Sequence, residues 1–393
     1  MRILITSIVD LEKTAHNRLH EFVRHLSKHH DITVISINDW WKANQTDVKL
    51  YSQSFEDMLS AINIRHLTTR KLSPPLQETC SVLVLNKILE EIDYAGFDVH
   101  LNYNTLVSGY YVARRLKSVG INTIYDLADN LPEMIRNSPQ IKPVLRPLGQ
   151  LIGSIMVHRN IAISTKTVCT TDRLKDLYHI PQSKFELISN GVDTELFQNR
   201  SSPQLRKRLA IEADFIVGYV GVLREWIDLE PVFTALSRLS RNSSLNIKML
   251  VVGEEGGLEK TRDLARKYEV SDKVIFTGTV PYTQIPEYIS CMDVCLLPYK
   301  AGAPFADTTL PLKLFEYMAC GKAVISSNMT GAPPAFRDKI LYASNEGEYQ
   351  DRLMTLHSDQ RLRQKMGMAG RQLVEQGYSW SESSLRLERV LNS

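Results

Sequence analysis

The chain has 393 residues, more than the roughly 250–300 that one hydrophobic core supports, so two domains are expected. Its 43% hydrophobic and 23% charged residues exclude long disorder, collagen-like sequence and a small disulfide scaffold. Lys and Arg number 47 against 44 Asp and Glu, and a net charge of +3 argues against a nucleic-acid surface while leaving room for a local anion site.

In chain order, apolar runs of strand length alternate with runs of helical period. Ile3–Ile8 predicts a strand, and the segment from Met1 to Asp10 is too short and too soon charged for a signal peptide. His16–His30 predicts a helix, with Leu19, Phe22, Val23 and Leu26 on one face. Strands follow at Ile32–Ile37, Val99–Asn102, Asn122–Asp126, Thr167–Thr170 and Phe185–Ile188. Helices are expected at Ser81–Ile92, Leu106–Ser118, Leu145–Arg159 and Asp172–Tyr178. A second series begins after Phe197, with strands at Ile216–Val220, Lys248–Val252, Val274–Thr277, Val294–Leu297 and Ala323–Ser326. Its helices are expected at Leu229–Leu239, Gly257–Tyr268, Ile285–Ser290 and Pro311–Cys320, then from Glu348 to Gln376 and from Ser381 onward. Such alternation predicts parallel sheets with helices on both faces. The expectation is α/β, with two doubly wound Rossmann-like domains facing an inter-domain cleft. The first would span 1–195 with a returning helix at 378–393, the second 196–377.

The five cysteines (Cys80, Cys169, Cys291, Cys295 and Cys320) are scattered and form no CxxC pair, which suits a reducing, cytoplasmic compartment. The longest uncharged apolar run, Pro147 to Val157, is too short to span a bilayer.

The stretch from Asp307 to Lys322 carries the most chemistry. A loop with Gly302, Pro304, Thr308 and Thr309 leads into Pro311 as the first helical residue, and Gly321 closes the helix. Leu312, Phe315 and Ala319 are expected to be its buried stripe. Lys313 stands in the first turn, where the helix dipole disfavours a cation unless an anion is bound. Glu316, three residues on, would then accept hydrogen bonds from hydroxyls of the same ligand. A nucleoside diphosphate offers both parts. The simpler alternative is a solvated Lys–Glu surface pair. Gly221, followed by Arg224, Gly253 and Gly278 end three strands, where the backbone can approach a phosphate; an ordinary tight turn explains any one of them.

The segment Ile188-Ser189-Asn190-Gly191-Val192-Asp193-Thr194-Glu195-Leu196-Phe197 resembles the "nGVDtxxF" signature of retaining GT-B glycosyltransferases of family 4. Leu312–Ser326, with Glu316, Ala319 and Gly321, is similar to their donor motif, and the order of elements agrees over nearly the whole chain. The resemblance implies a donor domain at the C-terminal side and an acceptor domain at the N-terminal side. By motif, Glu316 is similar to the ribose-binding second glutamate of a pair spaced eight apart, and Thr308 takes the place of the first. The family's "GRLxxxKG" phosphate motif falls on Gly221–Asp228, with Val222 and Ile227 at its basic positions. Arg224 and Lys313 are the expected substitutes. The donor set is then Gly221, Arg224, Gly253, Val280, Thr308, Thr309, Leu310, Lys313 and Glu316.

Tyr125-Asp126-Leu127-Ala128-Asp129 resembles the segment where many relatives carry a His-Asp pair near the reacting sugar, with Tyr125 at the histidine position. Asp126 and Asp129 join Lys313 and Arg224 as catalytic candidates; capping of the next helix is the alternative. His16, Asn17 and Arg18 are candidates for acceptor binding, or simply a polar helix start. His20-Glu21-Phe22-Val23-Arg24 lacks the second histidine of a zinc-protease motif, and no metal is expected. Glycines for a dinucleotide turn are missing after the first strand.

The function expected is transfer of a hexose-type sugar from a nucleotide-diphosphate sugar to a hydroxyl on a glycan, polysaccharide or lipid-linked acceptor. The resemblance implies retention, without metal, in cell-envelope polysaccharide biosynthesis. A sugar-nucleotide epimerase and a non-catalytic sugar-nucleotide-binding subunit are the alternatives. Arg136 to Arg159 mixes basic and apolar residues, as in helices that lie on anionic membranes. Packing against the first sheet is the simpler reading; the other would place the protein at the inner face of the cell membrane.

Overall fold

In this computed structural model all residues are described except 41–50, 139, 201, 213, 242–244, 254–256, 301–302, 304–307, 309, 328 and 330. The chain forms two units, Met1–Ser189 with Trp380–Ser393, and Asn190–Ser379. The sequence places these divisions at 195/196 and 377/378. Asn190–Phe197 belongs to the second unit because its backbone is held there. Asn190 Nδ2 donates to the Leu310 carbonyl at 2.8 Å, and the Arg371 guanidinium donates to the carbonyls of Thr194 and Phe197.

Unit 1 runs β1 (Arg2–Ser7), α1 (Arg18–Leu26), β2 (Asp31–Ser36), α2 (Gln53–Ser60), β3 (Asn63–His66), α3 (Pro74–Cys80), α4 (Val82–Glu91), β4 (Val99–Tyr103) and α5 (Val107–Lys117). It continues with β5 (Asn122–Leu127), α6 (Leu131–Arg136), α7 (Arg146–Ile163), β6 (Lys166–Cys169), α8 (Asp172–Leu177) and β7 (Phe185–Leu187). Its strands form one parallel sheet in the order β3-β2-β1-β4-β5-β6-β7.

Unit 2 runs α9 (Pro203–Arg208), β8 (Phe215–Val220), α10 (Glu230–Ser240), β9 (Ile247–Val252), α11 (Leu258–Lys267), β10 (Val274–Phe276), α12 (Ile285–Ser290) and β11 (Val294–Leu297). Then come α13 (Leu312–Ala319), β12 (Ala323–Ser326), α14 (Pro334–Arg337), β13 (Ile340–Tyr342), α15 (Glu346–Ser358) and α16 (Gln360–Gly377). The sheet order is β10-β9-β8-β11-β12-β13, again parallel. The last helix, α17 (Trp380–Leu391), returns to unit 1, where the Trp380 ring meets Phe22 of α1 edge-on at 6.0 Å.

Both faces of each sheet are covered, so the central strands are apolar throughout and not alternating. In β8, Ile216 and Val220 enter one core while Phe215, Val217 and Tyr219 enter the other. β3 and β13 were not expected from the sequence. β3 (Asn-Ile-Arg-His) is a half-exposed edge strand with a single apolar residue, and β13 has only three residues. The long tail helix is broken at Asp359, whose carboxylate caps α16 by accepting from the Leu362 amide at 2.8 Å.

Two local expectations are corrected. Pro311 is the residue before α13, with extended ψ of 141°, and not its first helical residue. Leu312 is only partly buried, whereas Leu314, Phe315, Tyr317, Met318 and Ala319 are all buried, so α13 is enclosed on most sides rather than along one stripe. Gly321 does close it in the left-handed region, at φ +64°. Among the described residues no helix is long and apolar enough to cross a membrane.

Candidate functional site

Open parallel sheets bind ligands beyond the carboxyl ends of their strands, where the strand order reverses. In unit 2 that reversal lies between β8 and β11. Gly221 follows β8, and the chain after β11 leads into α13, so Gly221 and Lys313 both belong to this edge.

The backbone here is built around glycines. Gly221 and Gly253 hold φ of +125° and +124°, a region L side chains rarely adopt. A Cβ on Gly253 would stand 2.6 Å from the Gly221 carbonyl oxygen, and one on Gly221 would stand 2.7 Å from Lys313 Nζ. The Gly221 amide donates to the Val252 carbonyl at 2.8 Å, and the Gly253 amide to the Gly278 carbonyl at 3.0 Å. These bonds tie the ends of β8, β9 and β10 into one edge.

Lys313 reaches from the first turn of α13 to Tyr219. Its Nζ donates to the phenol oxygen at 2.8 Å and lies 4.3 Å from the ring centroid. Burial pushes its pKa down to about 8, against the pull of Glu316. Burial pushes Glu316 up to about 7, opposed by Lys313 and by a hydrogen bond from Tyr282. Glu316 is 9% exposed, which rules out the solvated surface pair. Thr308 is buried, and the buried Leu310 receives Asn190 at its carbonyl. Val280 lies partly buried just beyond β10. Arg224 is exposed in the turn after β8, and its charge reaches the Tyr219 phenol. Thr309 and the Gly302–Pro304 stretch expected at this edge lie outside the described residues, apart from Ala303.

In unit 1 the candidates from α1 and β5 meet. Arg18 Nε donates to Asp126 Oδ2 at 3.0 Å and Nη2 to Oδ1 at 3.4 Å, with both side chains buried. A third nitrogen, Nη1, donates to the Ser189 carbonyl at 3.0 Å. Burial raises the Asp126 carboxyl above its usual range, against the attraction of Arg18. Asp129, one turn beyond β5, is pushed up to about 6 by burial and receives Asn104 Nδ2 at 3.2 Å. Neither aspartate side chain caps α6; Asn130 does, accepting from the Glu133 amide.

Asn17 is the N-cap of α1, in a reciprocal box with His20. His16 Nε2 lies 2.8 Å from Glu21 Oε1. Burial raises Glu21, but His16 and Arg24 outweigh it and hold the carboxyl below its usual range. One cluster was not anticipated: Asp10, Glu12 and His66 gather ligand atoms within 4.8 Å of one another. Lys13 Nζ already sits 2.9 Å from Asp10 Oδ2, supplying a cation to that carboxylate.

Tyr219 and Tyr282 escaped the sequence reading. Tyr219 lies on a strand buried on both faces, where apolar periodicity hides polar tips. Tyr282 is 34 positions from Glu316, with no motif linking them.

Known proteins are similar to this chain in sequence segments and in fold. The mannosyltransferase "GDP-mannose-dependent alpha-(1-6)-phosphatidylinositol monomannoside mannosyltransferase" of Mycobacterium tuberculosis is 28% identical over 218 residues, covering 54% of this chain and 56% of the relative. The chain spans about half the length of the curated relatives it matches. Sucrose-phosphate synthase from Thermosynechococcus elongatus superposes with a TM-score of 0.76 at 16% identity, over 99% of this chain and 98% of that one. HepE of Anabaena, solved in complex with UDP, gives 0.74 at 15% identity, over all of both chains. The fold is that of the GT-B glycosyltransferases, two doubly wound α/β units. Residues 201–373, most of unit 2, match the family model of the glycosyl transferases group 1.

Proposed function

We propose that the chain is a glycosyltransferase that moves a hexose-type sugar from a nucleotide-diphosphate sugar to a hydroxyl acceptor with retention and without metal. The carrying observation is the half-buried Lys313 one turn from the buried Glu316 at the β8/β11 reversal, with the Lys313 ammonium lodged against Tyr219 and Gly221. Withdrawing charges from water is costly unless a partner offsets it. A donor nucleotide supplies one for each: a diphosphate for Lys313 and Arg224, and ribose hydroxyls for Glu316. A named UDP complex of HepE and the GDP-mannose dependence in the name of the mycobacterial relative support this class of donor.

In the reaction the bond from the sugar's anomeric carbon to the diphosphate oxygen breaks, and a bond to the acceptor oxygen forms on the same face. The acceptor proton passes to the departing phosphate. The difficulty is charge on the leaving diphosphate. Backbone amides at the start of α13, with Lys313 and Arg224, stabilise that charge, while the glycines at the ends of β8 and β9 leave room for it. Val280, Thr308 and Leu310 line the donor. Asp129 hydrogen-bonds the sugar, and Asp126 positions Arg18, which with His16 serves the acceptor. Asn17 acts as a helix cap. The acceptor is a glycan or a lipid-linked sugar, with peripheral contact at a membrane.

Thermal-shift screening of the full chain against UDP, GDP and ADP sugars tests this, followed by transfer of labelled sugar with the donor that stabilises. Stabilisation by one donor class, and transfer that persists in EDTA, are expected. Failure of every nucleotide sugar to stabilise the protein would contradict the reading.

A further inference from the structure

From Met134 to Thr171 the chain contains no Asp or Glu but has Arg136, Lys142, Arg146, Arg159 and Lys166. With 44 acidic residues in 393, a stretch of this length would average about four. The whole of α7 falls inside it. Its inward residues Gly153, Met156, Val157, Asn160 and Ile161 are buried. Its outward face is apolar and open: Leu148 is 56% exposed, Leu151 58%, Ile152 45% and Ile155 45%, with Val144 at 81% just before the helix. The simpler expectation, that this helix packs its apolar residues against the sheet, is corrected for this face. The spacing 148, 151, 152, 155 is one helical stripe, and the next position along it is Arg159.

Arg159 leads into a groove of about 480 Å³ between the ends of α5 and α7, lined by Tyr110, Arg114, Lys117, Ser118, Arg159 and Ile163. No carboxylate lines it. The side chains of Arg114, Lys117 and Arg159 have no ion-pair or hydrogen-bond partner among the described residues. Nearby cations are engaged. Arg115 lies over the Tyr94 ring, and Lys184 Nζ donates to the carbonyls of Ile161, Ala162 and Ser164. Cations near a helix C-terminus complement its dipole. That accounts for Arg114 and Lys117 in the last turn of α5, but not for Arg159, which lies before the last turn of α7 and shares their groove beside a bare apolar stripe.

We propose that the outer face of α7 and the Arg114–Lys117–Arg159 groove dock on an anionic lipid bilayer, the stripe entering the acyl boundary and the three cations meeting the headgroups. Charge complementarity and exposed apolar area select this occupant. The geometry gives docking a use. α7 runs antiparallel to the strands, so Val144 lies toward the carboxyl end of β5, where Asp126 and Asp129 stand, and the groove lies toward its amino end. A helix lying in the interface would hold both ends of β5 close to the lipid surface, the carboxyl end with Asp126 and Asp129 among them. This use rests on the transfer reading above; the docking itself does not.

The test is co-sedimentation of the full chain with phosphatidylcholine vesicles, with and without phosphatidylglycerol. Binding only in the presence of phosphatidylglycerol is expected. Arg114→Gln/Lys117→Gln/Arg159→Gln should weaken it about a hundredfold, near fivefold per charge. Leu151→Ser/Ile155→Ser should weaken it about tenfold or more. Circular dichroism melts and nucleotide titration should be unchanged in both variants, because neither touches the donor edge. Absence of binding, or binding unaffected by either variant, overturns the proposal. So does a dimer in sedimentation equilibrium that the Leu151→Ser/Ile155→Ser variant dissolves, since the face would then cover a second copy. Vesicle binding without any nucleotide binding would sink the transfer reading and leave this one standing.

Discussion

The Lys313 ammonium lies 2.8 Å from the Tyr219 phenol oxygen and 4.3 Å from the centre of that ring. It is thus partnered by a neutral hydroxyl and a π face, with Glu316 acting on it through the field. Such an arrangement leaves positive charge available to a ligand. It also gives binding a pH window. Diphosphate binding needs Lys313 protonated, which holds below about 8, and ribose binding is strongest with Glu316 ionised, which holds above about 7. Nucleotide affinity should therefore peak between these values and fall on both sides. Calorimetric titration across pH should show Lys313→Arg extending the alkaline limb and Glu316→Gln flattening the acid limb. A flat profile in the parent protein would count against both assignments.

Gly253 packs its α-carbon against backbone, which cannot step aside. Gly253→Ala should cost about 1–3 kcal/mol from φ alone, with more from the contact to the Gly221 carbonyl. Gly221→Ala meets a movable lysine terminus, so its larger effect should be on nucleotide affinity, by displacing Lys313. Urea denaturation read beside nucleotide titration separates the two. Equal stability of Gly253→Ala and the parent would refute the close approach.

Arg18 and Asp126 form a buried pair on α1 and β5. Removing one partner leaves the other charge buried alone. Arg18→Met or Asp126→Leu should each lower stability by about 3–5 kcal/mol, and the double variant should recover much of that. Additive losses in a denaturation cycle would show that the two do not act as a pair.

Asp129 carries a carboxyl whose folded pKa of about 6 exceeds its unfolded value. Ionisation therefore opposes folding, with a penalty that is absent below the unfolded pKa and complete above about 6. Asp129→Asn keeps an acceptor for Asn104 and removes the penalty. Its stability relative to the parent should rise between pH 4 and 7 by up to about 3 kcal/mol and be unchanged in acid. A pH-independent difference would refute the raised pKa.

Much of this was legible in the chain. Long apolar strands such as β1 and β8 announce themselves because both sheet faces are covered, and helices of amphipathic period fall between them. Edge elements did not, because Asn63–His66 has little to bury. Lys313 and Glu316 were readable because a cation in a helix's first turn conflicts with the dipole. Their tyrosine partners were not, since contacts across sheet layers leave no spacing rule. Arg18 and Asp126 were each singled out, yet a pairing across 108 residues is set by the β1-β4-β5 order and not by either motif. For α7, the missing carboxylates were visible in sequence; which face stays bare depends on packing.

The most direct test is titration calorimetry of nucleoside diphosphate sugars into the full chain and into Glu316→Ala. The parent should bind at least one UDP, GDP or ADP sugar. Loss of a charged hydrogen bond to ribose should weaken that binding by about 1.5–3 kcal/mol, roughly 10- to 150-fold. Equal affinity in the two proteins, or no binding of any nucleotide by the parent, would contradict a donor site at the β8/β11 edge.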